Sequence, residues 1–292
     1  MPTIEQLIHL SSLDLAVDLK QEFAAFCGVP PDTIQAVLDN KPLDLDPGAD
    51  TDRFYARSND FLVNLIKAQI SLRHLTGRVA FVVQTLGGRQ ALDVLDIGGG
   101  IGNYCIALTR AGHRCTYADI PGVITDFARE RFTARGCAID ICDVRALPQK
   151  RFHALLSFDV LEHLDDPVAA MVEYAMHSAE HGLLFLAADF LNFSEPFHLR
   201  KNFPYAIMFE SILHELGFDC AYNGGMGPLE SIIKAGIRVY TMERPQGSDK
   251  NALLRTAHEC ARNAVAEYHS YFQQELERLS EVLTRRTSAG QS

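Results

Sequence analysis

The sequence predicts an α/β protein built on a seven-stranded, mostly parallel sheet flanked by helices, with a helical region added before it and one long helix after it. Three observations predict this. From Ala91 to Met242 short apolar runs alternate with stretches of helical spacing, the pattern of a parallel sheet whose strands are joined by crossover helices. Before Gly87 the periodicity is helical throughout, and beyond Arg244-Pro245-Gln246-Gly247 a single amphipathic pattern runs on to about Val282. The chain therefore divides into an N-terminal helical lid or extension (1–87), an α/β core (88–245) and a C-terminal helical extension (246–292).

In the first part Ile4, Leu7, Ile8, Leu15, Leu19, Phe23 and Phe26 share one helical face that ends at Cys27-Gly28. Pro31-Asp32 opens a short helix carrying Ile34, Val37 and Leu38. The Pro- and Asp-rich stretch from Lys41 to Asp52 reads as a loop, and one longer helix is expected through Phe61, Leu65, Ala68, Leu72 and Leu75 toward Val82. Strands are expected at Ala91 to Ile97, Cys115 to Ala118, Ala138 to Ile141, Ala154 to Phe158, Leu183 to Ala187, Phe218 to Tyr222 and Ile237 to Met242. Helices are expected between them at Tyr104 to Ala111, Val123 to Arg135, Pro167 to Ser178 and Ala206 to Leu216. The last pattern, Asn251 onward, carries Leu254, Ala257, Ala261, Val265, Tyr268, Phe272, Leu276 and Leu279. Packing on its own domain is the first expectation for that stripe and a homodimer seam its main rival.

Composition narrows the partners. At 292 residues and 47% hydrophobic content the chain has ample material for a core, and its formal net charge of −10 leaves no basic face for nucleic acid. A small-molecule substrate fits better. Seven cysteines without a Cys-x-x-Cys pair read as thiols of a reducing compartment. No segment approaches the roughly 18 uninterrupted apolar residues of a membrane span, and the first residues have no signal-like pattern, so the expected location is cytoplasmic.

The chemistry starts at Val94-Leu95-Asp96-Ile97-Gly98-Gly99-Gly100-Ile101-Gly102-Asn103, where an apolar strand ends in an acid and a glycine-rich turn opens a helix. Such a turn lets a ligand lie against peptide planes and offers the unpaired N–H groups of the helix start. The dinucleotide fingerprint Gly-x-Gly-x-x-Gly is not completed: its last position falls on Asn103 or Cys105. Asp96 can serve the ligand, cap the loop's own N–H groups, or do both.

Asp96-x-Gly98-x-Gly100-x-Gly102 resembles the first motif of the class I S-adenosylmethionine-dependent methyltransferases, a Rossmann-like family, and the resemblance continues in order to about Met242. In Tyr117-Ala118-Asp119-Ile120-Pro121-Gly122, Asp119 matches the acid that binds the ribose of S-adenosylmethionine, where a carboxylate can accept both hydroxyl hydrogens. Asp143, in Ile141-Cys142-Asp143-Val144, matches the acceptor for the adenine amino group. Leu156-Ser157-Phe158-Asp159-Val160-Leu161-Glu162-His163-Leu164 resembles the fourth-strand motif, whose first residues lie beside the methionine part. The resemblance thus implies S-adenosylmethionine as cofactor, held by Asp96, Gly98, Gly100, Gly102, Asp119, Ile120, Asp143, Val144 and Phe158. Tyr55 is added from the lid, where an aromatic ring facing the sulfonium would gain roughly 0.5–2 kcal/mol.

The implied reaction is transfer of a methyl group to an oxygen, nitrogen or carbon of a small molecule, in biosynthesis, with acceleration from in-line positioning and a base where the nucleophile carries a proton. His198, in the segment after the fifth strand, is the candidate base, ahead of Asn202 and Tyr205. His163 is expected to be structural or to contact the cofactor, and no metal is expected, since Glu180 with His177 and His181 has no ligand spacing. Two other uses of the same site remain open: intramolecular cyclisation of S-adenosylmethionine to azetidine-2-carboxylate and methylthioadenosine, and a non-catalytic cofactor-binding subunit.

Overall fold

A computed structural model describes residues 19–40, 42–47, 50–71, 73–190, 197–223, 236–245, 247 and 249–266. Its sheet has seven strands: β1 (Asp93–Ile97), β2 (Arg114–Asp119), β3 (Asp140–Asp143), β4 (Phe152–Phe158), β5 (Ser178–Ala187), β6 (Phe218–Asn223) and β7 (Arg238–Met242). They lie in the order β3-β2-β1-β4-β5-β7-β6. The first five pair in parallel, and β7 runs antiparallel between β5 and β6. All seven expected strands are present. The strand order reverses between β1 and β4, and in such sheets the ligand crevice opens at the carboxyl ends of the strands flanking that reversal.

The helices are α1 (residues 19–27), α2 (Pro31–Asn40), α3 (Thr51–Arg57), α4 (Asn59–Ser71), α5 (Arg73–Leu86), α6 (Asn103–Arg110), α7 (Val123–Ala134), α8 (Pro167–His177), α9 (Tyr205–Glu215) and α10 (residues 250–266). Alternate residues of the strands feed two cores. Leu95, Leu155 and Leu184 face α8, α9 and α10, while Val94, Leu156 and Phe185 face the side built from α5, α6 and α7. Period-two alternation of fully apolar strands is what a sheet covered on both faces demands.

The N-terminal region departs from expectation in one respect. In place of one helix from Phe61 toward Val82 there are two, and the Phe54-Tyr55 segment forms a helix of its own, reaching back to Thr51 in what reads as loop. Ser58 makes the first break: its backbone is extended (φ −78, ψ 104) and its Oγ accepts the Phe61 N–H at 3.0 Å, capping α4. Ser58 thus separates α3 from α4 ahead of Phe61, while residue 72, between α4 and α5, lies outside the described residues.

These helices have a third core of their own, in which Leu19, Phe23, Ile34, Leu62 and Ile66 pack with Ile101, Ile124, Phe127 and Phe197. The N-terminal helices are thus seated on the glycine turn, on α7 and on the segment bearing His198. Gly122 is one contact point: a Cβ there would lie 2.0 Å from the Ala56 carbonyl oxygen at the end of α3. At the other end of the chain Leu253, Ala257 and Ala261 of α10 are buried in the chain's own core, so this part of the stripe packs on its own domain; the continuation from Tyr268 lies outside the described residues. No described helix is long and apolar enough to cross a membrane.

Candidate active site

The turn after β1 lies at the sheet's reversal point. Gly100 (φ +53) and Gly102 (φ +79) occupy the left-handed region that glycine alone enters cheaply. Their surroundings differ. A Cβ on Gly102 would strike the Phe132 ring at 2.4 Å, so this glycine lets α6 pack on α7, whereas a Cβ on Gly100 would meet only Leu65, at 3.9 Å. The missing side chain of Gly100 therefore leaves room above the turn, between the cradle and the lid.

Arg131 of α7 locks the turn from behind. It is 1% exposed, donates from Nε to Glu22 Oε2 at 2.8 Å and from Nη1 to Asn103 Oδ1 at 2.9 Å, and also donates to the Ile101 carbonyl. Arg135 donates to the other oxygen of Glu22 at 2.5 Å. One lid carboxylate is thus tied through a guanidinium to the cofactor turn.

Asp119, at the end of β2, faces that turn. Its Oδ2 accepts the Gly100 N–H at 2.8 Å and Oδ1 the Ile120 N–H at 2.7 Å, while the Tyr117 hydroxyl, 3.3 Å from Oδ2, has its shorter bond, 2.8 Å, to the Gly100 carbonyl. A carboxylate has about four acceptor positions, so one on Oδ1 remains. The two ribose hydroxyls expected on this carboxylate would need that open position on Oδ1 and the one the long Tyr117 contact approaches on Oδ2. Asp143 shows the same economy: Arg145 donates its backbone N–H and Nε to Oδ1, both at 2.9 Å, and Nη2 to Oδ2 at 2.7 Å, leaving one position on Oδ2. Arg145 lowers the Asp143 carboxyl below its ordinary range, but the pair is largely solvent-exposed and worth little to stability.

Asp96 is 2% exposed beneath the turn and accepts only a weak donor, the Cys105 thiol at 3.5 Å. Burial raises its pKa to about 7 and that of Asp119 to about 6. Both acids are paid for by position rather than by a protein cation. These features fit an adenosyl sulfonium: a positively charged ligand above two desolvated acids, room over Gly100, and one open acceptor on each of Asp119 and Asp143.

On the other side of the crevice β4 ends in Phe158, which stacks on Tyr104 with ring centroids 4.6 Å apart. Asp159 follows at φ 54 and is held by the buried Arg78 of α5 at 2.5 Å. A left-handed aspartate costs of order 1–3 kcal/mol, and the ion pair with Arg78 holds it. The turn Leu161–His163 then carries Glu162 and His163 to the floor. Asp166 caps α8 by accepting the Ala169 N–H at 3.0 Å, as the Asp-Pro pair predicts.

His198 comes to this floor from the far side of β5. His163, His198 and Glu162 bring one potential ligand atom each within 4.8 Å of one another, and the two imidazoles meet edge to face at 4.8 Å between centroids. Tyr55 of α3 covers them, its ring 5.8 Å from His163 and its hydroxyl buried without a hydrogen-bond partner. The Tyr55 ring lies against Phe54, Phe61 and His163. Burial, then the Asp159 carboxylate, pushes Glu162 up to about 8, while burial brings His163 down to about 4. Asn202 is occupied structurally: its amide donates to the Glu162 carbonyl at 3.1 Å and to the Leu164 carbonyl at 2.7 Å, fastening the His198 segment to the floor. Tyr205 lies beside Phe190.

His177 and His181, by contrast, stand apart. His177 faces the Lys150 carbonyl and Glu173, and His181 faces Glu243. Two recesses beside α3, lined by residues such as Asp44, Phe54 and Ser58, contain no residue of the crevice and are surface grooves. Sequence reasoning missed Arg78 and Glu162 as site residues. Arg78 has a signal, a cation directly before the apolar run Val79-Ala80-Phe81-Val82, but its partner is 81 residues away.

A seven-stranded sheet with this order, a glycine cradle and acids after β2 and β3 define a nucleoside-binding α/β enzyme. The model of the methyltransferase domain matches residues 71–220, just over half of the chain. The chain belongs to this methyltransferase family, and S-adenosylmethionine is its cofactor. Among solved structures, a phosphoethanolamine N-methyltransferase of Haemonchus contortus, in complex with phosphoethanolamine and S-adenosylhomocysteine, is similar at 16% identity with a TM-score of 0.50. The similarity covers 68% of this chain and 48% of that one. Magnesium protoporphyrin IX methyltransferase from Synechocystis PCC 6803, with bound S-adenosylmethionine, is 19% identical over 77% of this chain and 96% of that one, with a TM-score of 0.44. No curated protein sequence matches.

Proposed function

We propose that the chain methylates a small molecule at oxygen, nitrogen or carbon, by in-line transfer to an acceptor held over the Glu162, His163 and His198 floor, with His198 promoting loss of the acceptor's proton. The observation that carries this reading is the set of buried polar atoms left open there: Tyr55 Oη, Glu162 Oε2 and His198 Nδ1 have no hydrogen-bond partner. Each such atom costs about 1–3 kcal/mol if nothing completes it, and they converge where β4 ends beside the cofactor crevice. The lid core reaches Phe197, next to His198, which favours an acceptor small enough to be enclosed.

When bound, S-adenosylmethionine supplies an electrophilic methyl group on a sulfonium. We assign Asp119, with Ile120, to the ribose, and Asp143, with Val144, to the adenine. Gly98, Gly100 and Gly102 form the backbone cradle, Asp96 is the buried counter-charge beneath it, and Phe158 and Tyr55 are the aromatic walls. The division into lid, core and C-terminal extension is part of this reading. The seven cysteines, all free, support a cytoplasmic, biosynthetic setting.

A product assay tests the proposal. Incubation with S-adenosylmethionine and a panel of phenols, amines and 2-oxo acids should yield S-adenosylhomocysteine only where an acceptor is present. Methylthioadenosine formed without acceptor would replace methyl transfer by cyclisation, and tight cofactor binding without either product would leave a binding subunit.

A further inference from the structure

We propose that Glu162, His163 and His198 form a site for one divalent transition-metal ion, whose open positions take an oxygen-chelating acceptor such as a 2-oxo acid or a catechol. The inference rests on the reading above that the acceptor reacts at this floor, and it assigns the way His198 acts there: through an ion that it helps to hold.

Three features support it. First, the atoms converge: one ligand atom of each residue lies within 4.8 Å of the others. Metal–ligand bonds of about 2.0–2.2 Å need ligands roughly 3–3.5 Å apart, so an ion would have to draw these atoms together from their metal-free spacing. Second, two of the three residues each have a buried atom without a partner. Glu162 is 1% exposed with Oε2 unpartnered, and His198 Nδ1 is buried and unpartnered. Third, the remaining atoms are pinned as outer-shell partners pin ligands. His163 Nδ1 lies 3.0 Å from the Phe197 carbonyl oxygen, which can only accept. The ring proton is therefore on Nδ1, and Nε2 keeps its lone pair for the ion. Glu162 Oε1 accepts the Asp189 N–H at 2.9 Å, fixing the carboxylate with Oε2 turned inward. Hydrogen bonds of this kind orient metal-binding imidazoles and carboxylates.

Two imidazoles and one carboxylate suit zinc, ferrous iron or cobalt better than magnesium or calcium, and three protein ligands leave positions open. An acceptor hydroxyl bound there gives its proton to solvent. Its oxygen then forms a bond to the methyl carbon as the carbon–sulfur bond breaks, and the sulfur leaves with the electron pair as the neutral thioether.

The test is a Co²⁺ titration of the full chain after chelator dialysis, followed by visible absorption, with Zn²⁺ as competitor. One equivalent is expected, with the d–d bands of a nitrogen and oxygen site. Glu162→Gln and His198→Ala should each weaken uptake by about 10–100-fold while S-adenosylmethionine affinity, read by calorimetry on the same samples, stays within twofold. Equal uptake by wild type and both variants, or thiolate-to-cobalt charge-transfer bands, overturns the site. So does metal-free protein that forms S-adenosylhomocysteine with a chelating acceptor at the loaded rate, a result that leaves methyl transfer standing. Stoichiometric uptake by these residues with no methylated product supports the site and overturns the methyltransferase reading instead. Because Glu162→Gln is isosteric, it keeps the experiment decisive if His198→Ala unfolds.

Discussion

The two walls of the crevice are built on opposite principles. Around the cofactor turn polar groups are mostly satisfied, Asp96 with its weak thiol donor excepted: Gly100 and Ile120 donate to Asp119, and Arg131 binds Ile101, Asn103 and Glu22. At the floor beneath the lid Tyr55, Glu162 and His198 each keep a buried atom open. A satisfied network holds one geometry for an invariant ligand; an unsatisfied one is completed only by what binds. The cradle should therefore fail through stability and affinity, and the floor through turnover.

The largest effect is expected at the floor. His198→Ala should lower the rate of S-adenosylhomocysteine formation by about 10²–10⁴-fold, the range for losing assistance to proton removal, whether that assistance is direct or through an ion, with cofactor affinity unchanged by calorimetry. A parallel loss of affinity would mean that the two walls are one unit and the contrast between them is false.

Next comes the brace behind the cradle. Arg131→Ala leaves Glu22 to Arg135 alone and frees the turn, so the loss should fall below the roughly 3–5 kcal/mol of a fully broken buried ion pair. Urea unfolding followed by circular dichroism should show the midpoint fall with little change in slope. An unchanged midpoint would show that the lid core of Phe23, Ile66 and Phe127 holds the turn unaided.

The same contrast explains what the sequence made legible. The cradle is local: Asp96 to Gly102 is one turn, and Asp119 and Asp143 each follow a strand by a single step, so motif spacing predicts their placement. The central strands were readable because buried parallel strands are short apolar runs, and the antiparallel β6 and β7 because they too are short, mostly apolar runs bounded by polar residues. The floor is assembled by tertiary contact. Glu162 and His198 come from segments separated by β5, and Arg78 meets Asp159 across 81 residues, so no spacing rule connects them. The helix Thr51–Arg57 escaped for a different reason, since it is only seven residues long and begins in the Pro- and Asp-rich stretch that reads as loop.

The smallest effect isolates the cradle's own charge. Burial lifts Asp119 to about 6 in the ligand-free protein. A carboxyl raised above its unfolded value gives stability that is complete below about pH 4 and is lost as pH rises through about 6. Ribose hydroxyls need the ionised form as acceptor, so affinity runs the opposite way: it should be level above about pH 7 and fall nearly tenfold per pH unit below 6. Calorimetry from pH 5 to 8 reads this directly, and the thermal shift on adding S-adenosylmethionine should grow over the same interval. Asp119→Asn should flatten the profile and cost about 1–3 kcal/mol at pH 8. Asp96 is the control built into the fold, because it too is buried, with a pKa of about 7. If Asp119→Asn keeps the slope and Asp96→Asn removes it, the charge that the cofactor senses lies beneath the glycine turn rather than at the sugar, and the ribose assignment falls.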